Sequence, residues 1–265
     1  MKKNVLITGS TDGIGKLAAI KLALSGHNIY IHGRNKDKLQ TVLAEIKLKS
    51  KNDNIIGFAA DLSEMEAVKQ LVEDINGKLS HIDVLINNAG VFKSSKAYSD
   101  DGIDMRFAVN YFAPYLLTNK LLPLLEQSSN ARVINLSSAA QSEISYDSIT
   151  GKENAAVNSL YAQSKLALTM WSLFLARQRN HLTVIAVNPG SLLNTNMVNE
   201  AFGQYWAPAE KGADVLYDLA LADEHKYHSG EYYDNDAGRY SQAHPDTYDN
   251  NAVERLIEFT NNIIK

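Results

Sequence analysis

Asn4-Val5-Leu6-Ile7-Thr8-Gly9-Ser10-Thr11-Asp12-Gly13-Ile14-Gly15 is the stretch whose reading decides the fold. An apolar run of strand character, Asn4–Thr8, passes directly into glycines at 9, 13 and 15, and a helical pattern over Gly13–Ser25 follows. Glycine permits positive φ and lets backbone approach closely where a side chain would collide. A helix starting at such a turn aims unpaired N–H groups and the positive end of its dipole at whatever sits above it. The residues alone leave two readings open: a tight strand–helix turn, or an anion cradle suited to a dinucleotide pyrophosphate. Placement after the first strand favours the cradle, built by Gly9, Ser10, Thr11, Asp12, Gly13, Ile14 and Gly15.

Outward from this turn the alternation repeats. Strand-like runs fall at Asn28–Gly33, Asn54–Ala59, Asp83–Asn87, Arg132–Ser137 and Thr183–Asn188, with a short Glu231–Asp234 run after Gly230. Most are continuously apolar, the mark of strands covered on both faces and hence of a parallel sheet. Helical patterns occupy Lys36–Lys49, Ser63–Leu79, Ile103–Gln127 and Leu160–Arg179. A terminal helix, Asn251–Ile264, carries Val253, Leu256, Ile257 and Ile264 as its apolar stripe. Ser63 and Glu66 have capping-box spacing. The polar stretch 141–158 reads as a long loop and 191–206 as irregular, both at strand ends where loops cover ligands. The expectation is a single α/β domain over residues 1–265, with a doubly wound, mostly parallel sheet.

The 265 residues carry 26 Lys and Arg against 30 Asp and Glu, for a net charge of −4. That balance argues against a general nucleic-acid binder. There is no cysteine, which excludes disulfides, thiolate zinc sites and a cysteine nucleophile. Lys2 and Lys3 precede only a short apolar run, and no stretch approaches the roughly 20 apolar residues of a spanning helix. A cytoplasmic protein without membrane or nucleic-acid partners is the expectation. Histidines at 27, 32, 81, 181, 225, 228 and 244 show no ligand or triad spacing, and His225 and His228 read as solvated. No G-x-S-x-G elbow surrounds Ser138, which disfavours a serine hydrolase.

Further motifs follow in order. Asn87-Asn88-Ala89-Gly90 ends the fourth strand, Ser137-Ser138 the fifth, Tyr161-Ala162-Gln163-Ser164-Lys165 opens a long helix, and Asn188-Pro189-Gly190 follows the sixth strand. With Thr8-Gly9-x-x-x-Gly13-x-Gly15, this series resembles the short-chain dehydrogenase/reductase family. Gly33-Arg34-Asn35, the long stretch before Tyr161, Asn188-Pro189-Gly190-Ser191 and Gly230-Glu231-Tyr232-Tyr233 resemble its retinol-dehydrogenase-like branch. The resemblance implies a Rossmann-type fold and an oxidoreductase interconverting a carbonyl and an alcohol by hydride transfer.

Tyr161 and Lys165 are four apart on a helix and share a face. A nearby ammonium favours phenolate and lowers a phenol pKa that is otherwise near 10. The resemblance makes Tyr161 the general acid/base and Ser138 the holder of the substrate oxygen. Lys165 grips the ribose, and Asn110 disturbs its helix to anchor a proton-relay water. A mid-helix asparagine facing solvent is the alternative for Asn110. The resemblance also assigns Asn88, Ala89, Gly90, Pro189 and Gly190 to the cofactor, with Asp61 and Leu62 on the adenine. Asp61 as a plain helix cap stays open.

No carboxylate stands at the end of the second strand to bond a ribose 2′-hydroxyl, and Arg34 can fork onto a 2′-phosphate. Gly33-Arg34-Asn35 resembles the NADP-dependent members of the family, and this resemblance implies NADP over NAD, with Arg34 and Asn35 at the cofactor. A catalytically silent NADP(H)-binding regulator is the rival reading. The substrate expected is a small-molecule carbonyl or alcohol of bulky, apolar type. The family's dimer contacts through the helices bearing Asn110 and Tyr161 imply a homo-oligomer, with 141–158 placed to obstruct it.

Overall fold

A computed structural model describes residues 2–264. Six parallel crossovers build the sheet: β1 (Asn4–Ile7), α1 (Gly13–Leu24), β2 (Asn28–Gly33), α2 (Lys36–Ser50), β3 (Ile55–Ala59), α3 (Met65–Asn76) and β4 (Val84–Asn87) come first. Then follow α4 (Met105–Phe107), a π-turn at Ala108–Phe112, α5 (Ala113–Leu125), β5 (Arg132–Leu136), α6 (Tyr146–Ile149), α7 (Val157–Gln178) and β6 (Thr183–Asn188). The chain ends with α8 (Asn196–Phe202), α9 (Glu210–Leu221), β7 (Glu231–Asp234), β8 (Arg239–Ser241) and α10 (Asn250–Ile263).

The strand order is β3-β2-β1-β4-β5-β6-β7-β8, and every pairing is parallel except β7 with β8. The expected doubly wound α/β sheet is therefore present. Successive strand residues point to opposite faces, and the core divides accordingly. Leu6, Leu85, Val133 and Val184 pack on one side with α3, α5, α7 and α10. Val5, Ile7, Val84, Ile86, Ile134 and Ile185 pack on the other with α1, α2 and α9. The order reverses between β1 and β4, and a crevice opens outside the carboxyl ends of strands at such a switch point.

Several local expectations are corrected. Ser63 does not cap α3: its hydroxyl donates to Asp61 Oδ1 at 2.8 Å, and the free Met65 N–H is taken by Asp101 Oδ2 at 2.8 Å. The short side chain of Ser63 finds a closer carboxylate behind it than the amides ahead. The 141–158 segment contains α6 and the start of α7, and 191–206 contains α8. Helix α9 and strand β8 lie where no pattern was read. His225 is 3 % exposed, not solvated, with its ring nitrogens 2.8 Å from Tyr240 Oη and Asp218 Oδ2.

The face assigned to a second copy is partly covered within the chain. Helix α10 lies against it, with Thr260 Oγ1 2.6 Å from Tyr111 Oη, Tyr115 Oη donating to Asn261 Oδ1 at 2.7 Å, and Phe259 4.8 Å from the Tyr146 ring. Among the described residues no helix is long and apolar enough to cross a membrane.

Candidate active site

A cleft of about 380 Å³ runs along the carboxyl ends of the strands, from Arg34, Asp61 and Leu62 past the glycine turn to Ser138, Tyr161 and Lys165. At its centre two motifs interlock. Thr8 Oγ1 accepts from the Asn88 and Ala89 amides at 3.0 and 3.1 Å, and Asn88 Nδ2 donates to the Thr8 and Gly9 carbonyls at 2.8 and 2.9 Å. This close packing explains two of the glycines. A Cβ on Gly9, which has φ +62°, would stand 2.7 Å from Ala89 Cα, and one on Gly15 would stand 2.3 Å from Asn88 Nδ2. At least these two glycines serve turn geometry and packing, leaving the start of α1 open towards the cleft.

Of the residues expected at the cofactor, Gly9, Thr11, Asp12, Gly13, Ile14, Gly15, Arg34, Asp61, Leu62, Asn88, Ala89, Gly90, Pro189 and Gly190 line the cleft. Ser10 and Asn35 do not. Ser10 is fully buried, its hydroxyl donating to the Ile7 carbonyl at 2.8 Å and accepting from the His32 amide at 2.9 Å. Asn35 caps α2, accepting from the Lys38 amide at 2.8 Å. Asp12 also caps a helix, accepting from Gly13 N at 2.8 Å, while its other oxygen meets Lys38 Nζ and Asn196 Nδ2, both at 2.7 Å. Burial pushes its carboxyl up, but these three partners outweigh it and hold the group below the usual carboxylate range. Asp61 shapes the turn before α3 by accepting from Ser63 N at 2.9 Å and faces Arg34 Nη1 at 3.8 Å; it does not cap the helix, whose N-cap position is Glu64.

At the other end, Tyr161 and Lys165 come together as the helical spacing requires: Lys165 Nζ is 5.7 Å from the Tyr161 ring centroid. The ammonium donates to the Leu136 carbonyl at 2.6 Å. The expected fall of the Tyr161 pKa is absent. Burial pushes the phenol up, against the opposing effect of a side-chain hydrogen bond with Ser138. Burial also pushes Lys165 down to about 7, so the cation that was to acidify the phenol is itself short of solvation. Ser138 lies on the cleft wall beside Tyr161. Asn110 sits in the π-turn and is fully buried, so the solvent-facing alternative fails. Its Oδ1 accepts from Val91 N at 2.7 Å, and its Nδ2 donates to the Val91 carbonyl and Ser164 Oγ at 3.0 Å. It stands behind Gly90, where a Cβ would lie 3.3 Å from Asn110 Oδ1 and 3.6 Å from Lys165 Nζ.

Sequence reading missed part of the wall. Leu193, Thr195, Asn196, Met197 and Val198 arrive from α8 and the segment before it. The signal was Thr195, whose hydroxyl caps α8 through Val198 N at 3.3 Å, followed by too few residues to show a period. Phe92 was also missed. Its ring is tilted against Tyr161 at 4.9 Å and against Phe202 at 5.2 Å between centroids, which packs it behind the cleft-lining Tyr161.

His32 has a structural part. Nδ1 accepts from Gly9 N at 3.2 Å, so the proton sits on Nε2 and is donated to the Ala60 carbonyl at 3.1 Å. Burial holds its pKa down at about 4. An unfolded chain takes up this proton near pH 6.5 and the native one only near 4, so stability falls as pH drops through that window. The expected loss is at most roughly 3 kcal/mol. Denaturant midpoints of His32→Asn and the parent protein should converge towards pH 4, and a gap constant with pH would rule this out.

A family model described as short chain dehydrogenase matches residues 3–206. The chain belongs to the short chain dehydrogenase family. Its relatives in that family include human polyprenol dehydrogenase, 35% identical over 212 residues, which cover 76% of this chain and 63% of that one. The match therefore spans less than two thirds of the relative. Human retinol dehydrogenase 13 is 32% identical over 253 residues, 88% of this chain and 76% of that protein. Among solved structures, an Escherichia coli short chain dehydrogenase complexed with NADPH superposes with a TM-score of 0.73 at 26% identity, covering 88% of this chain and 96% of the other. The retinol-dehydrogenase-like resemblance is thus matched by named relatives, and the chain is of the dehydrogenase class.

Proposed function

We propose that this protein is an NADP(H)-dependent oxidoreductase that reduces an apolar carbonyl compound, or oxidises the matching alcohol, with Tyr161 handling the hydroxyl proton. The observation that carries the reading is one continuous cleft with Arg34 at one end and Ser138, Tyr161 and Lys165 at the other. The chain's donor set fits a phosphorylated dinucleotide. The start of α1 would hold the pyrophosphate, Leu62 would offer an apolar face to adenine, and the exposed Arg34 would take a 2′-phosphate. The NADPH bound by the Escherichia coli structure supports the same cofactor. When bound, the cofactor supplies or accepts the hydride.

This chain's own residues handle orientation and the proton. Ser138 holds the substrate oxygen beside the Tyr161 hydroxyl. A phenol raised by burial stays protonated at neutral pH, which is the form reduction needs, because the carbonyl oxygen gains a proton as its carbon gains hydride. Lys165, with a pKa near 7, then exchanges protons readily and stabilises the transient phenolate. Asn110 fixes the Val91 backbone and Ser164 behind it. Leu193, Met197 and Val198 give the cleft an apolar wall that suits a bulky substrate, in keeping with the polyprenol and retinol named for the relatives. A cysteine-free chain makes no demand for an oxidising compartment, and we extend the proposal to the cytoplasm.

Cofactor choice gives the test. Arg34→Asp is expected to weaken NADPH binding by about 10- to 100-fold, the worth of a charge-assisted pair, and to leave NADH binding unchanged or improved. Calorimetric titration with both nucleotides reads the ratio. An unchanged NADPH constant would remove Arg34 from the site and with it the NADP assignment.

A further inference from the structure

The turn after β7 is joined to the reacting end of the cleft by a set of hydrogen bonds that the catalytic residues do not explain. Asp234, Asn235 and Asp236 stand beside Asn188, Pro189, Gly190 and Ser191, because β7 pairs with β6 in parallel up to Asn188 and Asp234. Asp236 takes most of the contacts. Its Oδ2 accepts from Asn188 Nδ2 at 3.0 Å and Ser191 Oγ at 2.6 Å, both its oxygens lie 3.0 Å from Ser191 N, and Lys211 Nζ stands 3.4 Å from Oδ1. Asn235 adds to the clasp, donating through its amide to the Asn188 carbonyl at 3.1 Å and through Nδ2 to the Pro189 carbonyl at 2.8 Å.

The clasped segment has an unusual backbone. Gly190 has φ +121° and Leu192, a residue with a Cβ, has φ +45°. A branched side chain in the left-handed region persists only where its surroundings fix it. Burial pushes Asp236 up, but its bonds from Ser191 and Asn188 and the Lys211 cation outweigh that, so it is held below the usual carboxylate range and stays charged at neutral pH. Asn188, Pro189 and Gly190 line the cleft beside Tyr161 and Lys165, at the end remote from Arg34.

We propose that Asp236 is a positioning residue of the redox site: its carboxylate fixes the Pro189-Gly190-Ser191 turn and, through that turn, the nicotinamide half of the bound dinucleotide. The inference rests on the NADP(H) reading above. It makes a claim about one half of the ligand only, because the adenosine half would be held by Arg34, Asp61 and Leu62, which Asp236 does not touch.

That asymmetry is the test. Calorimetric titration of the full chain with NADPH and, separately, with adenosine 2′,5′-bisphosphate compares whole ligand with adenosine half. Asp236→Ala is expected to weaken NADPH by about tenfold or more while the bisphosphate changes by less than about twofold, since an unclasped turn must be ordered when the nicotinamide half binds. Asp236→Asn keeps the shape but loses the charge and half of the acceptor set, gives a smaller shift of the same kind, and serves if the alanine variant does not fold. Asp214→Ala, which removes an exposed carboxylate paired with Lys21 instead, should change neither constant. Equal weakening of both ligands would show general loosening and overturn the proposal, as would no change in either. Failure of the parent protein to bind the bisphosphate would instead overturn the NADP(H) reading, and this inference with it.

Discussion

Tyr161→Phe is expected to lower kcat by about 10²- to 10⁴-fold, the usual worth of a positioned general acid. NADPH affinity should be unchanged. The substitution removes one oxygen and keeps the ring, tilted against Phe92 at 4.9 Å, so the wall of the cleft survives. The reacting oxygen loses its proton donor, and Ser138 is too weak an acid to replace it. Stopped-flow reduction of an apolar aldehyde, alongside a nucleotide titration, separates the two effects. Turnover equal to that of the parent protein would remove Tyr161 from the proton path.

Lys165→Met is expected to stabilise the fold and abolish most of its turnover. The parent protein holds this ammonium where burial lowers its pKa from 10.5 to about 7. In acid both native and unfolded chains carry the charge, so the native state bears the whole cost of burying it, at most roughly 5 kcal/mol. Above pH 7 the native lysine sheds its proton while the unfolded one retains its own until about 10.5, and the cost fades. The methionine variant should therefore melt higher than the parent below pH 7, with the gain shrinking as pH rises towards 10. Met is one atom shorter than Lys but keeps an unbranched apolar stem, and it loses the bond to the Leu136 carbonyl and the ammonium beside the Tyr161 ring. Thermal melts at pH 6 and pH 9.5 decide it: a gain that grows with pH would mean the lysine is not buried as a cation. A site that keeps such a group at a stability cost is one where function demands it.

The fold was largely legible because its determinants are local. The apolar, β-branched runs around Val5–Ile7 and Val133–Ile134 carry the mark of strands buried on both faces, and the sheet is parallel through seven strands. The pairing of Tyr161 with Lys165 was equally legible, since a helix puts residues four apart on one face. What failed depended on context along the third dimension. Ser10 looks like a ligand contact in the glycine motif, yet its hydroxyl is used inside the turn. The Tyr161 pKa moves up because spacing shows which groups are near and not how dry they are. Helix α8 covers the cleft with none of its residues buried, so it carries no apolar period to read. Asp236 is far along the chain from Asn188, and no local pattern announces that their strands are neighbours.

The central claim is that this site moves hydride to a carbonyl carbon. The most direct measurement is incubation of the protein with an apolar aldehyde and NADPH deuterated at the transferable C4 position, followed by mass spectrometry of the alcohol. The account predicts one deuterium on the carbinol carbon, from the parent protein and not from Tyr161→Phe. Tight NADPH binding with no deuterium in any product across a panel of aldehydes and ketones would contradict it, and would make the protein a sensor of the nucleotide in place of an enzyme that spends it.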